Sequence, residues 1–437
     1  MLLGSSTTIN QALRNVDTSI LSIFQEQSDE NANLGNPYTY LSAPSNLDWY
    51  VKWLTCQIST LPESIALLLV KEFDLRTAKL QDNSRFHQIF NSVNEFLRSR
   101  KDASIDEIVG HLVEGGLLEP ASDASDVFAA QRLLIFSILG WQSMLFLPSF
   151  EANTLREFAI HRPPGEPNSG LLFDTYSVSL DLADRPLAIL LKAYGNLLPA
   201  RCRSSENVAS ELARKVYSWT SLSSSDTNAY LLHTLLRVDI RWVDTLALHL
   251  DYDKSSRTLS IFRYPSFCIA MLQSKGAIYS FASTEPHPVD PRATEEEITY
   301  FLNETLLSYR LLFGQSKPAR RFFRNMISSE SVLSCNPDPL LRLLCLDQYF
   351  AHSFVPADRP VYVTARDFLV LGERVELLTA ELRGVKPMSW RDLLRDRRDT
   401  LQYWTFWLVT IIGGVGILLS LLQVILGIMQ VLQVRVG

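Results

Sequence analysis

The stretch Tyr403–Val434 reads YWTFWLVTIIGGVGILLSLLQVILGIMQVLQV and contains no charged residue. At 1.5 Å per residue, roughly 30 helical residues extend about 45 Å, more than the ~30 Å hydrocarbon core of a bilayer. Soluble cores rarely hold an uncharged run of this length. A bilayer accepts it by tilting the helix or by letting its ends enter the headgroups. The sequence therefore predicts a single C-terminal transmembrane helix over residues 403–433.

The flanks set its orientation. Arg391, Arg395, Arg397 and Arg398 precede the run, and Arg435 follows it. Arg and Lys govern insertion, whereas the interleaved Asp392, Asp396 and Asp399 contribute little. The expectation is a cytosolic N-terminal body and a tail-anchored topology. Trp390, Tyr403, Trp404, Phe406 and Trp407 supply an aromatic belt on the same side. The length of the span suits the secretory pathway or plasma membrane better than a mitochondrial outer membrane. Within the run, Gly413, Ser420 and Gly427 recur every seven residues, and Gly416, Gln423 and Gln430 repeat that spacing three residues later. These positions form an a/d seam. Small residues let two helices approach, and Gln amides can hydrogen-bond across the contact. The seam predicts an anchor that pairs with a second copy or a partner helix, although spans also tolerate Gly and Gln without using them.

The 437-residue chain is 47% hydrophobic and 20% charged, which places its body among globular proteins rather than disordered ones. Its net charge is −6, and it lacks the basic stripe of a nucleic-acid binder, so no nucleic-acid partner is expected. Cys56, Cys202, Cys268, Cys335 and Cys345 are odd in number and include no C-x-x-C pair. A disulfide framework and a zinc ribbon are both disfavoured, and the body is expected in a reducing compartment. The N-terminus has neither a basic n-region nor a long apolar h-region, so it does not read as a signal peptide.

Residues 1–45 read as a polar arm, 46–165 and 166–385 as helical subdomains, and 386–402 as a basic and aromatic juxtamembrane segment. Pro62 and Glu63 open a helix through Ile65, Leu68, Leu69 and Phe73. Ser84–Arg100 aligns Phe86, Ile89, Phe90, Val93, Phe96 and Leu97 on one face. Ser104 with Glu107, and Thr294 with Glu297, have capping-box spacing. The uncharged run Leu133–Phe150 is short, interrupted by Pro148 and carries Gln142, so it reads as a buried core helix rather than a second span. Arg162–Gly170 reads as a loop and possible boundary. Further helices are expected over 206–220, 227–238, 295–312 and 317–326. A β-hairpin is expected with Leu246–Asp253 and Thr258–Arg263 as strands and Lys254–Arg257 as the turn, and a short strand at Val361–Thr364. The fold class is mainly α with one small β-hairpin, joined to one membrane helix.

Several stretches carry a resemblance: Ile138–Gln142, Ile240–Leu250, Leu259–Cys268, and Trp390–Asp399 leading into Thr405–Trp407. On these the chain resembles a group of filamentous-fungal membrane proteins, most strongly over 230–270 and 367–433. The resemblance implies a cytosolic helical domain with one C-terminal span, and an accessory role beside a gene cluster. It implies no activity.

Catalytic motifs are absent from the sequence: there is no G-x-x-x-x-G-K-[ST], G-x-G-x-x-G, H-E-x-x-H or G-x-S-x-G. No cofactor or metal is expected. His233 and His249 flank Asp239 and Asp244, with Asp251 and Asp253 beyond, a set that suits either proton transfer or ordinary core and hairpin contacts. Cys268 lies in an apolar context with Arg263 as the nearby cation. Arg320, Arg321 and Arg324, with Lys317, form a basic face that suits anionic lipid or plain solvent. The reading that follows is a non-enzymatic, membrane-anchored interaction or accessory protein. Its partners are the bilayer, an unidentified protein and a second copy of itself. The alternative is a membrane-bound enzyme using His249, Asp244 and Cys268 near the hairpin; a third reading is an oligomeric pore or transporter.

Overall fold

The computed structural model describes residues 47–69, 84–122, 125–150, 156–161, 175–195, 197–200, 221–283, 292–329, 338–347, 355–385 and 400–436. The first helix, α1 (Asp48–Ile58), turns Trp49, Tyr50, Trp53, Leu54 and Ile58 inward. After a tight turn come α2 (Glu63–Ala66) and a 3-10 turn at Leu67–Leu69; Phe73, expected to extend this helix, lies outside the described residues. Next is α3 (Ser84–Ser99), which buries Phe86, Ile89, Phe90, Val93 and Leu97 as the periodicity requires. In α4 (Ile105–Glu114) the capping box is formed in both directions, Ser104 Oγ accepting from Glu107 N and Glu107 Oε2 from Ser104 N.

The uncharged run becomes α5 (Asp126–Ser143), with every residue from Leu133 to Phe146 buried. Several of its polar groups find partners within the protein. Gln142 Nε2 donates to the Phe90 carbonyl at 2.7 Å, the Ser137 and Ser143 hydroxyls bond back one turn, and Tyr50 Oη donates to the Trp141 carbonyl. A Cβ on Gly140 would fall 2.8 Å from the Phe146 ring, so only glycine lets the chain fold back under this helix. The run expected to continue to Phe150 stops as helix at Ser143, because Met144 takes the left-handed conformation.

Strands β1 (Glu157–Ala159) and β2 (Ser177–Ser179) pair antiparallel, followed by α6 (Leu187–Lys192). The loop expected at Arg162–Gly170 and the helix expected over 206–220 lie outside the described residues. Then come β3 (Ser221–Leu222) and α7 (Ala229–Leu235), the latter capped by the Asn228 side chain. A three-stranded sheet follows: β4 (Asp239–Val243), β5 (Asp251–Asp253) and β6 (Thr258–Phe262), in spatial order β4-β6-β5. The expected hairpin is present as β5–β6, antiparallel with Asp253 opposite Thr258. Its first strand is shorter than the alternation suggests, because Leu246 N–H bonds to the Met144 carbonyl and Leu246–Leu248 winds into a 3-10 turn. The parallel partner β4 is an addition that the sequence pattern did not announce.

Behind the sheet pack α8 (Pro265–Ser274) and α9 (Glu295–Tyr309), whose Thr294–Glu297 capping box is formed. The last turn of α9 widens into a π turn at Arg310–Gly314 before α10 (Lys317–Ser329) and α11 (Pro339–Leu346). The strand expected at Val361–Thr364 is β7 (Tyr362–Val363), paired with β3. The body closes with α12 (Thr364–Asp367) and α13 (Gly372–Gly384), and α14 (Thr400–Val436) stands apart in sequence beyond them. The buried apolar side chains from Trp49 to Leu382 form one cluster. Within it Trp49 stacks on Tyr264 at 3.9 Å, and Trp242, Phe313 and Phe323 form a cluster of three mutually contacting rings.

Candidate membrane anchor and the polar groups of the body

Among the described residues, one helix is long and apolar enough to cross a membrane: Trp404–Met429 within α14. None of that segment is buried. Leu408, Ile417 and Leu418 are 60%, 71% and 67% exposed, while the body encloses its own core. Each Leu or Ile left in water forgoes about 1.5–3 kcal/mol, so the helix presents an apolar surface that a bilayer would cover. Its 26 residues rise about 39 Å, which crosses ~30 Å of hydrocarbon with tilt.

Gly413, Gly416, Ser420, Gln423 and Gly427 lie along this helix, and the backbone of Gln430 continues their register. At 3.6 residues per turn the six positions occupy an arc of about 100°. A Cβ added at Gly413, Gly416 or Gly427 would meet nothing within 4 Å, so the seam is an open face. Trp404 and Trp407 sit on its first turns, with the Phe406 and Trp407 rings edge to face at 6.1 Å. Tyr403 is placed in the same helix by its backbone. Trp390, Arg391, Arg395, Arg397 and Arg398 lie outside the described residues.

The hairpin residues singled out for chemistry are held in structural contacts. His249 is wholly buried. Its Nδ1 accepts the Phe262 N–H at 3.2 Å, and its Nε2 lies 2.7 Å from Ser308 Oγ. Since Ser308 gives its own proton to the Thr305 carbonyl, Nε2 is the donor and the ring is neutral. Burial, helped by the Arg374 charge, pushes its pKa down to about 3. Asp244 pairs with Arg263 and accepts from Trp53 Nε1 at 3.0 Å. Cys268 is fully buried on α8, and burial raises its thiol pKa, the reverse of what a nucleophile needs. Among the described residues no group of three or more His, Cys, Asp or Glu side chains is placed to hold a metal ion.

Three buried charges that the sequence reading passed over organise the body. Glu304 on α9 accepts the backbone N–H groups of Leu369, Val370 and Leu371, the entry to α13. Burial pushes its pKa up to about 7 against the pull of those donors. Asp338 caps two helices at once, accepting Leu340 N at the start of α11 and Ser266 N in the first turn of α8. The Ser266 hydroxyl in turn accepts from Trp49 Nε1, tying α1 to the same point. Arg310, completely buried, pairs with Asp358 and donates to the Leu344 and Asp347 carbonyls at the end of α11. For Glu304 and Arg310 the only sequence signal is a charge on an otherwise apolar helical face, whereas Asp338 stands directly before Pro339 at a helix start.

No protein-family model, curated protein or solved structure matches this chain.

Proposed function

We propose that this protein is a single-pass membrane protein whose helical body lies in the cytosol and serves as a docking module, and whose anchor associates with a second copy. The observation that carries the reading is Trp404–Met429 of α14: an uncharged apolar segment with no buried residue, following a body whose own core is closed. The four arginines ahead of the helix, Arg391, Arg395, Arg397 and Arg398, support the cytosolic side for the body. Cys268 and Cys345, buried thiols without a bridge, agree with a reducing compartment. The side chains nearest to a reactive constellation, His249, Asp244 and Cys268, are committed to structural hydrogen bonds, an ion pair and core packing, which favours an interaction role over chemistry at the hairpin. The exposed seam supports self-association.

Alkaline extraction of membranes tests the anchor, and an engineered glycosylation acceptor at each end tests the sidedness. The chain is expected in the washed pellet, with only the C-terminal acceptor modified. Recovery in the supernatant rejects the anchor, and modification of the N-terminal acceptor alone reverses the orientation. Crosslinking in mild detergent tests the seam. Gly413→Leu and Gly427→Leu are expected to reduce the dimer, and a monomeric parent indifferent to both ends the self-association proposal.

A further inference from the structure

The chain as a whole carries a net charge of −6. Against that background α10 holds Lys317, Arg320, Arg321 and Arg324 and no carboxylate. Without this +4 the remainder would stand at −10 rather than −6. The fold sorts the four cations. Ala319 and Phe323 are buried, and Phe322 lies against the His233 ring at 4.8 Å, so this side of the helix is fixed to the core. Arg320 turns back and donates to the Gly314 and Gln315 carbonyls. Lys317, Arg321 and Arg324 are exposed. At 3.6 residues per turn these three fall within about 60° of arc and about 10 Å of length.

The tether limits what surface is at hand. Fourteen residues, 386–399, separate the body from α14, and a fully extended chain of that length reaches at most about 50 Å. The body therefore stays close to the headgroups for as long as α14 is in the bilayer. A chain of net negative charge is repelled on average by an anionic leaflet, and attracted where cations are concentrated.

We propose that the exposed stripe of α10, Lys317, Arg321 and Arg324 flanked by Arg320, docks on anionic headgroups of the cytosolic leaflet and so decides which face of the body meets the membrane. This rests on the reading of α14 as a span with the body on the cytosolic side. Each cation brought to such a surface is worth about fivefold in occupancy, and the gain fades as salt shortens the Debye length.

The test uses the full chain reconstituted in phosphatidylcholine vesicles with and without phosphatidylserine. Asn325→Cys, exposed on α10, carries a fluorophore in a background with Cys56, Cys202 and Cys335 replaced by Ser. A nitroxide on the lipid headgroups reads proximity by quenching. Quenching is expected to be several-fold stronger with phosphatidylserine, to fall as salt rises, and to be lost in Arg321→Glu/Arg324→Glu. Equal quenching on both vesicles overturns the proposal, as does phosphatidylserine-dependent quenching that survives both salt and charge reversal. If the reversed variant misfolds, the salt series on the parent decides. A response to added RNA with none to phosphatidylserine assigns the stripe to nucleic acid and overturns it too. Alkaline washing of the same vesicles reads the anchor separately. A chain that washes off sinks the span, whereas one that stays but is quenched equally sinks only the docking.

Discussion

The imidazole of His249 accepts a backbone N–H at one nitrogen and donates to a hydroxyl at the other, which only the neutral ring can do. The ring titrates near 6.5 when unfolded and near 3 in the folded body, so between these values the unfolded chain binds the extra proton. The contribution of His249 is complete above pH 6.5 and declines by about 1.4 kcal/mol per pH unit as pH falls toward 3. Glu304 acts in the opposite sense. Its pKa is raised from 4.5 to about 7, so its contribution is complete below 4.5 and lost as pH rises through 7. Because the two oppose, a variant comparison is the informative measurement. His249→Gln, less stable than the parent at pH 7, is expected to lose less stability than the parent between pH 7 and pH 5, as read by thermal unfolding in mild detergent. A parallel loss rejects the neutral-ring account. Gly314 offers a packing test. A Cβ there would fall against the Leu344 carbonyl and the Arg310 guanidinium, and overpacking of this kind costs about 1–3 kcal/mol. Gly314→Ala is expected to lower the unfolding temperature, while Gly110→Ala, where a Cβ meets nothing within 4 Å, is expected not to.

Helices in the body are tied together through their ends. Asp338 serves the first turns of both α8 and α11, so its removal leaves donors at two helix starts. A single cap is worth ~1 kcal/mol, and a buried donor left unpaired costs about 1–3 kcal/mol. Asp338→Ala is therefore expected to cost about 2–4 kcal/mol, with amide exchange accelerated at both helix starts. Acceleration confined to α11 would show that the shared cap is not operative. Glu304→Gln has a narrower expected effect: amides of Leu369, Val370 and Leu371 exchange faster, because one amide oxygen replaces two carboxylate oxygens as acceptor. Unchanged exchange there would refute the cap.

At the scale of the whole molecule, two kinds of surface stand side by side in one chain. The body closes around one apolar cluster, and α14 exposes its apolar side chains along its length. Leu418 lies near the middle of the Trp404–Met429 segment. An Arg at the centre of a span costs about 2.5–3.5 kcal/mol of insertion free energy. Leu418→Arg is expected to shift much of the chain into the alkaline supernatant. Ile189→Arg, at an apolar side chain 42% exposed on the body, leaves the pellet fraction unchanged. Equal behaviour of the two variants would place α14 in water or protein instead of lipid.

What was legible in the residues was what depends on near neighbours along the chain. The apolar run of α14, both capping boxes, the buried helix α5 and the tight turn of the β5–β6 hairpin rest on composition or on spacings of a few residues. The shared face of Gly413, Gly416, Ser420, Gln423, Gly427 and Gln430 follows for the same reason, since a helix converts spacing into a face. Distant contacts settled the rest. β4 becomes a strand by pairing with β6, and Leu246 leaves the hairpin for a bond to Met144. Glu304, Asp338 and Arg310 find partners 34 to 72 residues away. A buried charge is tolerated only where donors or acceptors converge on it, and folding alone brings together groups so far apart in the chain.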